Sequence, residues 1–360
     1  MYSEDVKNYV NEIFAEDAED DGVVLGLQLT TKCMNDCSYC GADRHDRIAE
    51  LDFDILKKCI LQYSEFAKIN SKQFTVGLDG ADNFLYSHFD EMIQWFFDNK
   101  IDYFIKCNAS TLTSARIDRL IQTQCMYVRL TVCGPDTVHD ALRGLDTYDM
   151  VCKKTKMMAE RGLGVVWNLT IGSHNVDSMH QVFKDIPEMN LIGIIENRMY
   201  RAGMANKESF IEMSPFQWKG YLSLALGYFL DSPEKYPLWF KDVLWVPFLV
   251  ERGLLQLDKF PDDVNLGCGL SSHYACLDVD GYVKGCLTLE SAAKELSVET
   301  ARIKFYPSGD KLFFTKDVKF AHNSYCEKCK FYRFCRGCAA VTLANTGNIN
   351  AQDPQCWLDK

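Results

Sequence analysis

The run "LQLTTKCMNDCSYCGADRH", Leu27 to His45, places three cysteines within eight residues, directly after a β-strand pattern. Cys33, Cys37 and Cys40 are spaced C-x3-C-x2-C. Three thiolates complete a metal centre only with a fourth ligand from elsewhere, or else leave one coordination position open.

Outward from this run, the chain repeats one theme between Val23 and Asn197. Short β-branched runs alternate with longer stretches of helical period. The spacing predicts strands at Val23–Thr30, Gln73–Asp79, Asp102–Cys107, Met126–Val132, Gly164–Ile171 and Leu191–Asn197. Helices are expected at Phe53–Ala67, His88–Asn99, Ser114–Gln122, Tyr148–Arg161 and Val176–Asp185. This alternation implies an α/β fold with a parallel sheet. Six units are too few for a closed eight-stranded barrel, so an open partial barrel and a doubly wound sheet are the options. In both, ligands gather outside the carboxyl ends of the strands. That rim collects the cysteine triplet, Gly80-Ala81-Asp82-Asn83, Cys107-Asn108, Cys133-Gly134-Pro135, Asn168 and Asn197-Arg198.

Four segments are expected. They are an acidic helical segment (1–22), the partial barrel (23–205), an aromatic-rich helical linker (206–265) and a cysteine-rich region of hairpins and short helices (266–360). "SPFQW" opens a helix at an N-capping Ser214 followed by proline, and "DVDGYV" (Asp278–Val283) reads as a hairpin turn.

The apolar fraction of 47% with 25% charged residues is that of an ordinary globular protein. The most apolar stretch, Tyr221–Leu230, is shorter than the roughly 20 residues a membrane span requires, and reads as a buried helix. The acidic start lacks the basic and apolar regions of an export signal, so a cytoplasmic location is expected and no membrane partner. A net charge of −11 without a Lys/Arg block argues against nucleic acid.

Sixteen cysteines in such a chain point to metal or redox chemistry rather than a disulfide scaffold. Five (Cys59, Cys107, Cys125, Cys133 and Cys152) are dispersed through the middle. Eight lie near the end: Cys268, Cys276, Cys286, Cys326, Cys329, Cys335, Cys338 and Cys356. Eight thiolates suit zinc knuckles or two four-iron clusters, and their spacing alone does not choose. The triplet weighs toward iron–sulfur, because no partner knuckle stands near it and His45 reads as a polar loop residue. A site with one open iron is what a cluster needs to bind a small molecule directly.

"CMNDCSYC" resembles the cluster motif of the radical S-adenosylmethionine (SAM) superfamily, in which an aromatic often precedes the third cysteine, as Tyr39 does here. The resemblance implies a partial (β/α)6 barrel and a 4Fe–4S cluster on Cys33, Cys37 and Cys40. In that family the open iron takes the amino and carboxylate groups of S-adenosyl-L-methionine, which is cleaved to a 5′-deoxyadenosyl radical. The tail is similar to the SPASM extension, with Cys268, Gly281 and Cys286 in register; its last gap, Cys335 to Cys338, holds two residues where three is common. This implies two auxiliary 4Fe–4S clusters, one on Cys268, Cys276, Cys286 and Cys338 and the other on Cys326, Cys329, Cys335 and Cys356. For Cys276 a buried strand residue is the competing reading.

"CGPDTVHDALRG" (Cys133–Gly144) and "NVDS" (Asn175–Ser178) resemble further landmarks of the family. Position within the family pattern implies cofactor contacts from Tyr39, Gly80, Ala81, Asp82, Thr131, Arg143, Asn168 and Arg198. The usual G-G-E-P appears here as Gly80-Ala81-Asp82-Asn83, with a shorter carboxylate. Cys107 and Cys133 stand at strand ends, where a thiol S–H can deliver a hydrogen atom to a carbon radical; a plain buried cysteine is the alternative. Leu287 follows Cys286 where sulfatase-maturing members carry an aspartate, which argues against that activity.

The expected function is oxidation or crosslinking (C–C, C–O or thioether) of a peptide or peptide-like substrate. A cellular reductant such as flavodoxin or ferredoxin is implied as partner. About twenty residues before the first strand are too few for a leader-peptide-binding domain, so a separate leader-binding protein, a short substrate or a non-peptide small molecule are alternatives. Redox-neutral epimerisation through Cys107 or Cys133 is the runner-up. A non-catalytic zinc protein is the reading from another class.

Overall fold

The computed structural model of the protein describes residues 2–19, 22–41, 48–207, 212–260, 266, 273–289, 302–305, 312, 314 and 325–358. Its described strands are β1 (Val23–Gln28), β2 (Phe74–Asp79), β3 (Asp102–Cys107), β4 (Tyr127–Val132), β5 (Gly164–Ile171), β6 (Gly193–Arg198), β7 (His273–Leu277), β8 (Tyr282–Lys284) and β9 (Arg302–Lys304). They form one sheet in the order β6-β5-β4-β3-β2-β1-β7-β8-β9. The first six strands are parallel, each beside its predecessor in sequence. A doubly wound sheet reverses its strand order at a switch point. This one does not, so right-handed crossovers set every helix on one face and the sheet curls into a partial barrel.

The crossovers carry α2 (Phe53–Ile69), α3 (Phe89–Asp98), α4 (Ser114–Gln122), α5 (Asp136–Arg143), α6 (Thr147–Glu160) and α7 (Met179–Asp185), after an N-terminal α1 (Glu4–Glu19). Local chemistry sets their starts. Asp52 accepts the Ile55 amide at 2.9 Å, and Thr113 accepts that of Arg116 at 3.2 Å. Each helix turns an apolar stripe to the sheet: Leu56, Ile60 and Tyr63 from α2, Met92 and Phe96 from α3, Val182 and Phe183 from α7. Outward strand residues such as Val76, Tyr103, Leu130 and Trp167 complete this layer, and the Trp167 indole N–H reaches Thr155 of α6 at 2.9 Å.

Two features differ from the sequence expectations. The stretch Val176–Asp185 divides into a 3-10 turn at Val176–Ser178 and α7. The cause is Asn175, which accepts the Gly172 amide and donates to the carbonyls of Cys133 (2.7 Å) and Thr170 (2.9 Å). The hairpin of β7 and β8 forms as expected, but β7 also runs parallel to β1 and extends the barrel sheet by one edge. A cysteine-rich tail thus supplies a barrel strand.

Beyond the barrel, α8 (Pro215–Asp231) opens with Ser214 and Gln217 in a reciprocal capping box, and α9 (Trp245–Glu251) follows. The apolar Tyr221–Leu230 lies within α8, where Tyr221, Leu222, Ala225, Leu226 and Phe229 are buried. No helix among the described residues is long and apolar enough to cross a membrane. The tail's helix is α10 (Ala339–Thr346). The amphipathic α1 docks on the linker, with Asn11 bonding the Leu254 carbonyl and the Gln256 amide at 2.9 Å each.

Replacing Asn175 with alanine orphans two carbonyls and one amide, each buried. We expect a loss of about 3 kcal/mol in urea unfolding with an unchanged slope.

Candidate active site

A cavity of about 360 Å³ opens at the carboxyl ends of the barrel strands, within the range of roughly 300–1,000 Å³ typical of small-molecule sites. Cys33, Cys37 and Cys40 line it after β1, and Cys286 and Cys338 of the tail line it from the other side. Two cysteine sets about 250 residues apart in sequence therefore face one space. Among the described residues, no three His, Cys, Asp or Glu side chains converge as ligands of a single ion.

The triplet is held by its surroundings. The Cys40 amide donates to the Cys37 carbonyl at 3.1 Å, closing a turn. Asn108 approaches the Cys33 sulfur at 3.5 Å. Arg143, the last residue of α5, donates to the Tyr39 hydroxyl and to Asn108 Oδ1 (2.6 Å). Burial opposes the Arg143 charge, but Tyr39 and Cys37 beside it hold the guanidinium firmly protonated. The guanidinium thus stands as a fixed cation beside Cys37. Three thiols on one wall with a cation beside them fit a three-cysteine iron–sulfur site.

Of the residues expected to contact cofactor, Tyr39, Gly80, Ala81, Thr131, Arg143, Asn168 and Arg198 line the cavity. Gly80 adopts φ +98°, which a side chain resists, and so lets the backbone after β2 turn along the wall. Asn168 is fixed by the Asn197 amide at 2.5 Å.

Three expected residues are placed differently. Asp82 is fully buried and does not line the cavity; Thr111 (3.2 Å) and Asn108 (3.3 Å) donate to its carboxylate. It heads the turn at Asn83–Leu85, which points it into the protein, where burial raises its pKa. Its role is to hold Asn108, while Gly80 and Ala81 present their backbone.

Arg198 lines the cavity, but its donors are engaged by Asp242 (2.7 Å), both oxygens of Asp353 (2.7 and 3.0 Å) and Gln355 (2.9 Å). It fastens the tail to the barrel instead of facing a ligand.

The two thiols considered as hydrogen donors separate as well. Cys107 lines the cavity, whereas Cys133 does not. Cys133 packs among Leu142, Met199 and Ala205, its S–H donating to Tyr39 at 2.9 Å, and burial pushes it up to about 11.

In the tail, Cys276 is fully buried, 2.9 Å from the Tyr274 hydroxyl and within electrostatic reach of Cys286. Cys356 is similarly close to Cys329 and Cys335. Cys268 lies outside the described residues.

Sequence reading passed over Tyr200 and Glu196. Tyr200 stands between Cys40 on one side and Cys286 and Cys338 on the other, and its hydroxyl fills the space that a side chain at position 41 would need. The signal for it was Gly41, directly after the third cysteine. Glu196, 3% exposed, shares a face of the sheet with Leu169 of β5 and turns its carboxylate toward the Trp245 indole. A lone acid within the apolar "LIGIIEN" was its signal. Burial, with Asp242 nearby, pushes Glu196 up to about 8.

Residues 27–186 match the family model described as the radical SAM superfamily. Solved structures share the fold across almost the whole chain. Streptococcus suis SuiB bound to precursor peptide SuiA is 15% identical with a TM-score of 0.69, covering 98% of this chain and 80% of that one. The enzyme anSMEcpe with bound AdoMet is 15% identical with a TM-score of 0.66, covering 93% and 94%. Its complex with AdoMet and a Cp18Cys peptide has a TM-score of 0.65 at 14% identity, with the same coverage. No curated protein matches the sequence.

A carboxyl whose folded pKa is raised binds more protons native than unfolded, so its contribution to stability is complete below the ordinary value of 4.5 and is lost as pH rises through about 8. Glu196→Gln, which stays neutral, should therefore match the natural protein near pH 5 and exceed it above pH 8. A gap on the order of a few kcal/mol in denaturation midpoints is expected.

Proposed function

We propose that the protein is a radical SAM enzyme with a SPASM-type tail that modifies a peptide or peptide-like substrate by oxidation or crosslinking. The carrying observation is that Cys33, Cys37 and Cys40 share one cavity with Cys286 and Cys338. Cys33, Cys37 and Cys40 would hold a 4Fe–4S cluster, which when bound would supply the electron for reductive cleavage of S-adenosyl-L-methionine to methionine and a 5′-deoxyadenosyl radical. The chain's own residues position and shield that chemistry. Arg143 supplies a fixed positive charge beside Cys37, and the Gly80–Ala81 backbone offers carbonyls to the nucleoside's amino group. Thr131 and Asn168, buried on β4 and β5, offer hydrogen bonds to the ribose. Tyr39 is held by Arg143 and Cys133, which makes it a rigid wall.

In the tail, Cys268, Cys276, Cys286 and Cys338 would hold one auxiliary cluster, and Cys326, Cys329, Cys335 and Cys356 the second. The nearness of Cys286 to Cys276, and of Cys356 to Cys329 and Cys335, supports this division. Auxiliary clusters suit an oxidative outcome, since an electron left on a substrate radical needs an acceptor. The peptide class is supported by the peptide complexes of two proteins sharing the fold, SuiB and anSMEcpe. A flavodoxin or ferredoxin as reductant, and a separate leader-binding protein, belong to the same reading.

Redox-neutral epimerisation is a second reading, favoured by one observation: Cys107 opens onto the cavity. There the substrate carbon radical takes the hydrogen of the thiol, leaving a thiyl radical for later reduction.

Anaerobically purified protein should be brown and carry about twelve irons per chain. Dithionite reduction with S-adenosyl-L-methionine should release 5′-deoxyadenosine, and serine at Cys33, Cys37 or Cys40 should abolish it; a colourless protein holding zinc would overturn the proposal. The two outcomes separate by mass, since oxidation gives a product lighter by two hydrogens. Epimerisation would leave the mass unchanged apart from deuterium taken from solvent. In that case Cys107→Ala should stop product formation while 5′-deoxyadenosine still appears, and Cys133→Ala should leave hydrogen delivery intact.

A further inference from the structure

We infer that Tyr274 tunes the first auxiliary cluster by donating a hydrogen bond from its hydroxyl to the sulfur of Cys276, a reading that rests on the tail holding the cluster proposed above. Cys276 is fully buried on β7, and its sulfur stands 2.9 Å from the Tyr274 hydroxyl. The backbone amide of Leu287 reaches the same sulfur from the residue after Cys286, whose own sulfur lies within electrostatic reach. A thiol is a weak acceptor and is readily buried without a partner. Two donors on one buried sulfur suit a thiolate, the form that binds metal. Their convergence separates a ligand from a plain strand cysteine.

Room for the pair is built into the neighbouring strand. Gly26 of β1 lies in register with Cys276 on one side and with Gly77 of β2 on the other. A β-carbon at position 26 would come within 2.9 Å of the Tyr274 oxygen and 3.0 Å of the Cys276 sulfur, too close for either to stay in place. Gly26 does not adopt a positive φ, so its side chain is missing for space and not for backbone freedom. Asp79 of β2 lies within electrostatic reach of both groups, but an ionised carboxylate has no proton to donate. A cysteine bound to iron carries no proton either, which leaves the Tyr274 hydroxyl as the donor in the loaded protein. A hydrogen bond to a cluster sulfur offsets the negative charge of an added electron and so raises the reduction potential. That direction suits an electron acceptor, the role proposed for the tail.

The test is a redox titration followed by electron paramagnetic resonance. It uses protein in which alanine replaces Cys33, Cys37 and Cys40, so that only the tail reports. In Tyr274→Phe one auxiliary midpoint should move to lower potential while the other stays, with iron content unchanged. Gly26→Ala, which crowds the hydroxyl away from the sulfur, should move the same midpoint in the same direction. Cys276→Ser should alter the g-values of that same signal. An unmoved midpoint in Tyr274→Phe would overturn the inference, as would equal shifts of both signals. If the phenylalanine variant fails to fold, Gly26→Ala decides by the same criterion. Two auxiliary signals without a selective shift sink the tuning alone, whereas a protein that shows neither signal sinks the wider function.

Discussion

A guanidinium with almost no access to solvent joins the two ends of this protein. Arg198 closes the last strand of the barrel and grips both oxygens of Asp353, fifteen residues beyond Cys338, while its third nitrogen meets Asp242. Burying three charges is expensive, and such a network repays its desolvation only when geometry and hydrogen bonds are complete. Here they are: Asp353 also accepts the amides of Cys338 (2.8 Å) and Gln355 (3.0 Å), and Gln355 bonds both Arg198 and the Met213 carbonyl. The Cys338 sulfur is therefore carried to the cavity by a side chain of the barrel. The clasp adds to the β1–β7 pairing a second tie between tail and barrel, close to Cys338.

The rim itself follows from strand order. Six parallel strands in sequence order place six loops at one end, around a common space that Cys33, Cys37, Cys40, Gly80, Cys107 and Asn108 line. The loops are tied by asparagines whose side chains replace missing backbone partners. Asn83 donates to the carbonyls of Leu78 and Lys106, and Asn175 to those of Cys133 and Thr170. These ties fix the loops that form the wall of the cavity. Tyr200, between the two cysteine sets, continues the wall across from barrel to tail.

Much of this was legible in the sequence because it depends on period and local chemistry. The strands at Asp102–Cys107 and Gly164–Ile171 and the helix at Ser114–Gln122 occupy the spans their patterns implied, and Ser214 caps α8 as expected. What was not legible depends on contacts across the chain. The pairing of β7 with β1 requires the tail to return to the first strand, and no local pattern encodes that return. Cys107 and Cys133 look equivalent at two strand ends, but Cys133 is drawn into a pocket of Leu142, Met199 and Ala205. Asp82 reads as a ligand by position and becomes a support for Asn108, because the turn after it aims its side chain inward. Glu196 was invisible for the opposite reason: one acid in a buried strand carries no motif, and its surroundings, Asp242 and Trp245, come from later in the chain.

On the proposed function, Cys33, Cys37 and Cys40 leave one iron open for the nucleoside. Electron–nuclear double resonance on the reduced, cluster-loaded protein tests this directly, using S-adenosyl-L-methionine labelled with 15N in its amino group and 17O in its carboxylate. Hyperfine coupling of both labels to the cluster is expected, lost when any one of the three cysteines is replaced. A reduced cluster on this triplet that shows coupling to neither label would contradict it.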